Sequence, residues 1–217
     1  MRNLLILLSF ALAPAPAAAR WTAPVTTAPA TALEEAIIAQ ALTCNRMRKK
    51  ADPAYLLDLL RVEEKFDEMP HTLRGMVLAA ACAESGFDQD AKGDRAFDKQ
   101  GRAKAIGVLQ QWPWFEGAYQ VDRTDPLAAA EAWLKHIQTH LAKTQKRCGR
   151  HLKGETLWVR AWAHAISAPR KGGRCLETPK HYQRLQRWRK TWYAELGRPG
   201  MPAPSPPPPV PALEAGR

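Results

Sequence analysis

Apolar residues recur at steps of three and four along most of this chain, the period of one face of a helix. Asp52-Pro53 reads as an N-cap followed by a first-turn proline, and Leu56, Leu57, Leu59, Leu60 and Phe66 supply the apolar face of the helix behind it. The spacing predicts a second helix over His71–Glu84. Its later half, Met76 to Ala83, is apolar on every side, and such a helix is a buried one. Asp125-Pro126 repeats the cap signal ahead of Leu127, Ala130, Leu134, Ile137 and Leu141. Glu155–Ile166 carries Leu157, Trp158, Ala161, Trp162 and Ala165, and Thr178-Pro179 opens a last helix with Tyr182, Leu185, Trp188 and Trp192 as its inner stripe. Only residues 86–111 break the pattern. They are rich in Gly, Asp, Lys and Arg and end in Ala105-Ile106-Gly107-Val108-Leu109, which predicts a long loop with a small hairpin. The fold class is mainly α, with no internal repeat.

The two ends read differently. Arg2, the run Leu4 to Leu8 with Phe10, and the small residues Ala17-Ala18-Ala19 have the order of a secretory signal peptide over residues 1–19. The apolar run is too short for a spanning helix, so no stable membrane insertion is expected once it is cleaved. Residues 20–31 read as a linker, and residues 198–217, with Pro206 to Pro209 in a row, as an extended proline-rich tail. The span 32–197 between them, roughly 165 residues, is long enough for one domain with its own core. The protein is expected to be exported, periplasmic or secreted, and monomeric.

Export changes the meaning of two other features. The net charge is +11. A basic chain ordinarily suggests nucleic acid, but an exported one more plausibly meets an anionic wall or membrane surface, so no nucleic-acid partner is expected. Four cysteines, Cys44, Cys82, Cys148 and Cys175, suggest two disulfides with three pairings open. Cys148–Cys175 with Cys44–Cys82 is preferred, the first stapling two late helices and the second tying an N-terminal helix to a central one. Buried free thiols are the alternative.

Glu84 is the candidate with chemical content. It ends the buried helix, and Ser85-Gly86 stops that helix. Apolar surroundings and the negative end of the helix dipole both disfavour its ionised form, which suits a general acid near neutral pH. The bland alternative is a glutamate that simply turns outward. His136 and His140 have the i, i+4 spacing of a metal clamp, but Ile137 follows the first histidine and no third ligand is evident, so no metal is expected. Trp112 and Trp114 alternate, which predicts that at least one is core.

Glu84-Ser85-Gly86-Phe87 resembles the Glu-Ser-Gly-Phe signature of soluble lytic transglycosylases and goose-type lysozymes. Gly107-Val108-Leu109-Gln110 with Pro113 is similar to the Gly-Leu-Met-Gln segment of that family, and Asp125-Pro126-Leu127 with Trp133-Leu134 to its next helix. Glu177-Thr178-Pro179-Lys180-His181-Tyr182 looks like its Glu-Thr and tyrosine element. The resemblance covers about residues 70–190 and implies a lysozyme-like helical domain, with the loop or hairpin lobe at 86–111 bordering a cleft. It implies Glu84 as catalytic acid and then base, and Ser85, Gln110, Glu177 and Tyr182 as substrate-binding residues. The substrate implied is peptidoglycan glycan strands, cut at the β-1,4 bond between N-acetylmuramic acid and N-acetylglucosamine with a 1,6-anhydro end and no cofactor.

Two departures qualify that expectation. The family's Ala-Tyr-Asn-Ala-Gly-Pro element falls on Ala161-Trp162-Ala163-His164-Ala165-Ile166-Ser167-Ala168-Pro169, where Trp162 and His164 are the candidates to replace its polar contact. The loop after Glu84 is long and carries Asp88, Asp90, Asp94 and Asp98. A second carboxylate over the cleft, Asp94 or Asp98, would allow lysozyme-type hydrolysis instead. A non-catalytic wall-binding protein of the same fold is the rival from another class, and action on chitin or another amino-sugar polymer a third.

Overall fold

A computed structural model of the protein describes residues 28–167 and 175–196. The leader, most of the linker, the proline-rich tail and the end of the Ala161–Pro169 element lie outside the described residues. The helices are α1 (Ala32–Ala41), α2 (Pro53–Arg61), α3 (Met76–Glu84), α4 (Trp114–Tyr119), α5 (Pro126–Thr139), α6 (Leu141–Cys148), α7 (Gly154–Ile166) and α8 (Lys180–Leu196). Between α3 and α4, β1 (Lys92–Gly93) and β2 (Ala105–Ile106) form an antiparallel hairpin with Lys92 opposite Ile106. Among the described residues no helix is long and apolar enough to cross a membrane. The class is mainly α with one small hairpin, as expected.

Both Asp-Pro caps are in place, while α8 begins at Lys180, one residue beyond Thr178-Pro179. Asp52 accepts from the Ala54 amide, and Asp125 accepts from those of Leu127 and Ala128. The linker, however, does not run to residue 31. Thr31 and Glu34 form a reciprocal capping box at α1, and Arg61 donates to the carbonyls of Ala28 and Pro29. Residues 28–31 are therefore tied to the fold. Glu34 is buried, and although burial pushes its carboxyl up, hydrogen bonds from Arg61 and Thr31 hold it at about 2.

The helix predicted from His71 is shorter than the pattern suggests. Residues 71–73 form a single 3₁₀ turn, and Gly75 at φ 84° lies just before α3. Here glycine is needed, since a side chain would be strained at that φ and would press on Ile37 and Trp192. The first amides of α3 are satisfied from a distance, because Gly75 and Val77 both donate to the Glu63 carboxyl at 2.8 Å. No local cap exists to announce that start.

α3 is the centre of the molecule. Met76 to Ala83 are all buried, and α1, α2 and α8 pack around them. Ala79, Ala80 and Ala81 are at most 1% exposed, so the neighbouring helices approach closely. A leucine at Ala81 would overpack that contact, costing about 1–3 kcal/mol. A second group, α5, α6 and α7, joins the first where α5 meets α2 and residues 62–65. Tyr182, Leu185, Trp188 and Trp192 form the buried stripe of α8. Both disulfides are Cys44–Cys82 and Cys148–Cys175, a feature of proteins that mature in an oxidising compartment.

Candidate active site

The C-terminal end of α3 opens into a groove. The helix stops at Ser85, and the chain reverses through two consecutive left-handed residues, Gly86 (φ 65°) and Phe87 (φ 68°). A Cβ on Gly86 would stand 2.4 Å from the Arg46 carbonyl oxygen, so this turn packs directly against the loop after Cys44. The Cys44–Cys82 bond fastens that loop two residues before Glu84. Glu84 then lines a groove of about 410 Å³ with Arg46, Arg48, Lys92, Arg95 and Gln110. An adjoining hollow of about 500 Å³ shares Arg48, Asp88 and Asp90 with it.

The Glu84 side chain is 36% exposed, neither walled off nor free in bulk water. Its carboxyl accepts no hydrogen bond from a described residue, and its nearest charged or titratable neighbour is His181 Nδ1 at 3.7 Å. Partial burial raises its pKa, Arg46 pulls it down, and the negative charge of Asp94 pushes it up again. Net, the carboxyl is held above the ordinary carboxylate range.

The residues expected to bind substrate separate into two groups. Ser85 and Gln110 reach the groove but are used by the fold. Ser85 Oγ donates to the Val108 carbonyl at 2.7 Å, clamping the end of α3 to the segment after β2. The Gln110 amide nitrogen donates to Ala91 and Gly107 carbonyls at 3.1 and 2.9 Å, which leaves only its oxygen for a ligand.

The other four lie elsewhere. Trp162 is fully buried against Trp133 and cannot stack on a sugar. His164 is 8% exposed, accepts from the Leu176 amide and sits 3.6 Å from Cys148 Sγ, so it serves the second disulfide. Tyr182 donates to Glu155 rather than turning toward Glu84, because the α8 stripe points it into the core. Glu177 is exposed and is not among the residues that line the groove.

The tryptophans correct another expectation. Neither is core, for Trp114 is 46% exposed at the start of α4 and Phe115 takes the buried position. Trp112 is half-buried and donates to Asp94 Oδ2 at 2.7 Å. The alternation assumed an extended segment, but a helix begins at Trp114.

Of the loop aspartates, Asp98 is consumed by Lys104 at 2.8 Å and Arg102 at 3.2 Å, and these hydrogen bonds hold its carboxyl well below the usual range. Asp94 is the loop aspartate whose negative charge raises the Glu84 pKa, while Asp88 and Asp90 line the groove with Glu84. His136 and His140 are engaged by the fold. His136 bonds Tyr119 and the Ala165 carbonyl, and His140 the His136 carbonyl. Cys148, His164 and Cys175 bring ligand atoms within 4.8 Å of one another, but the two sulfurs are bonded together and offer no thiolate.

Arg46 and His181 were not legible as site residues. A signal for the first existed, since pairing Cys44 with Cys82 brings residues 45–48 against 83–86. His181 stood beside the tyrosine on which the motif fixed attention. The chain matches no protein-family model, no curated protein and no solved structure. Its function therefore rests on the motif likeness and on the geometry of this groove.

Proposed function

We propose that the protein cleaves peptidoglycan glycan strands as a lytic transglycosylase, with a lysozyme-like helical domain and Glu84 as acid and then base. The observation that carries this reading is a lone unpaired glutamate, raised in pKa, opening from a buried helix end into a polar groove. A polyhydroxylated strand bearing carboxylates suits a groove in which Arg46, Arg48, Lys92 and Arg95 stand beside Glu84, Asp88 and Asp90. Glu84 protonates the glycosidic oxygen between N-acetylmuramic acid and N-acetylglucosamine. The resulting carboxylate takes the proton of the sugar's C6 hydroxyl as that oxygen attacks C1, leaving a 1,6-anhydro end.

Lysozyme-type hydrolysis is a second reading, and Asp94 is the observation that favours it. Its carboxylate is oriented by the Trp112 indole and its charge reaches Glu84. A carboxylate there could serve as base for a water or as nucleophile. Product mass separates the two, because an anhydro end is lighter by one water than a reducing end.

The test is digestion of purified sacculi by wild-type protein and by Glu84→Gln. The variant is expected to fold normally and to lose about 10²–10⁴-fold in sugar release. Undiminished release by Glu84→Gln refutes the assignment. Sacculus binding by wild type with no released sugar supports a wall-binding protein instead.

A further inference from the structure

Beside Glu84 stands a polar atom whose hydrogen-bonding needs the fold does not meet. His181 Nδ1 is buried and has no hydrogen-bond partner among the described residues. It points toward Glu84 Oε1 at 3.7 Å, so closing by about 0.8 Å would make an ordinary N–H···O bond. A buried nitrogen without a partner is costly and calls for an explanation; Trp162 Nε1 is another among the described residues, but only His181 Nδ1 faces a titratable group across a short gap. Glu84, unpaired on the other side of the gap, is the group that can move.

We propose that His181 is a positioning residue for Glu84, donating from Nδ1 to Oε1 so that Oε2 carries the working proton into the groove. This deepens the reading of Glu84 as a general acid and rests on it.

The surroundings keep the imidazole in place and uncharged. Pro179, buried, leads into α8 and sets His181 in its first turn. The ring lies at 6.2 Å from that of the buried Trp162, edge to face. Charged groups reach it from three elements: Glu84 on α3, Arg46 on the loop before α2, and Arg184 one turn along α8. Burial first, then the two arginines, hold its pKa down to about 4. At neutral pH the ring is therefore neutral, and one of its two nitrogens carries a proton. Placed on Nδ1, that proton strengthens its bond to Oε1 as Glu84 gives up its own and becomes charged. The gain falls in the transition state, where it lowers the barrier rather than tightening binding.

A direct titration decides the pairing without substrate. The Glu84 δ-carboxyl is followed by ¹³C NMR against pH, its resonance assigned by its absence in Glu84→Gln. Wild type is compared with His181→Phe and His181→Asn, the asparagine amide standing near the place of Nδ1. Loss of the donor in His181→Phe is expected to raise the carboxyl pKa by about one unit, with His181→Asn returning it toward wild type. A carboxyl that titrates alike in all three overturns the proposal, and so does one that titrates lower in His181→Phe.

In sacculus digestion, kcat should fall about tenfold or more in His181→Phe with KM little changed, and recover in His181→Asn. Equal kcat in wild type and His181→Phe counts against a positioning role. Failure of the wild type to release sugar removes the reaction assigned to Glu84, while the carboxyl titration still decides whether the pair exists.

Discussion

A glutamate stands at each end of α3, and the two are opposites. Glu63 reaches its N-terminus from residues 62–65 just after α2, 2% exposed, and accepts from the Gly75 and Val77 amides at 2.8 Å. Glu84 closes its C-terminus with no hydrogen-bond donor and a groove in front of it. The first carboxyl is spent on donors that a helix start leaves open. The second sits where the helix dipole opposes its charge. Both carboxyls are raised by burial, Glu63 to about 7 against the pull of Arg74 and the amides. A raised pKa therefore does not mark a functional carboxyl on its own. Access and the absence of partners do.

The widest gap between the two ends should appear in stability. Glu63→Ala strands two buried amide donors at about 1–3 kcal/mol each and leaves a void, for roughly 3–5 kcal/mol in all. Glu84→Ala loses no hydrogen bond from a described residue and should unfold within about 0.5 kcal/mol of wild type, or later. Urea midpoints with matched slopes measure both. Equal losses would erase the distinction between a structural and a chemical carboxyl.

A smaller contrast lies in pH. Between about 4.5 and 7 the unfolded chain has already released the Glu63 proton while the folded protein keeps it, so this group lowers stability as pH rises through that window. Gln at 63 cannot titrate. The stability of Glu63→Gln relative to wild type should therefore climb by up to about 3 kcal/mol from pH 4.5 to pH 7. Comparing the two cancels the opposite trend from His136 and His181, both lowered to about 4, which favour folding as pH rises over nearly the same range. A flat difference would mean that Glu63 is an ionised cap and that its amide donors outweigh burial.

How much could be read in the sequence depended on how local each signal is. Helices with a cap and a period in one stretch, such as Pro126–Thr139 behind Asp125, were legible, as was the all-apolar run that became α3. The true start of α3 was not, because its capping carboxyl lies 12 residues back in Glu63. Glu84 was legible because a charge at the end of a greasy helix conflicts with its surroundings. Tyr182 and Trp162 misled because an aromatic residue on a helix stripe reads alike whether it faces core or cleft. Arg46 and His181 come to Glu84 from chain segments on either side, brought there by the Cys44–Cys82 bond and by the packing of α3 against α1 and α8.

The finest test of the comparison is Arg46, the cation that lowers the Glu84 pKa as Arg74 lowers that of Glu63, but with no amide donors beside it. Its backbone is fixed by contact with Gly86 and by the Cys44–Cys82 bond two residues away, but its side chain stands in the groove. Arg46→Gln should leave the urea midpoint unchanged and raise the Glu84 carboxyl pKa by about half a unit to one unit, since solvent screens part of the charge. The alkaline limb of kcat/KM against pH should move upward with it, because the acid then keeps its proton to higher pH. Arg46→Lys, which preserves the charge, should keep the limb near its wild-type position. If Arg46→Gln does not move the titration, burial and Asp94 alone set the acid. The disulfide-anchored loop would then serve only to wall the groove.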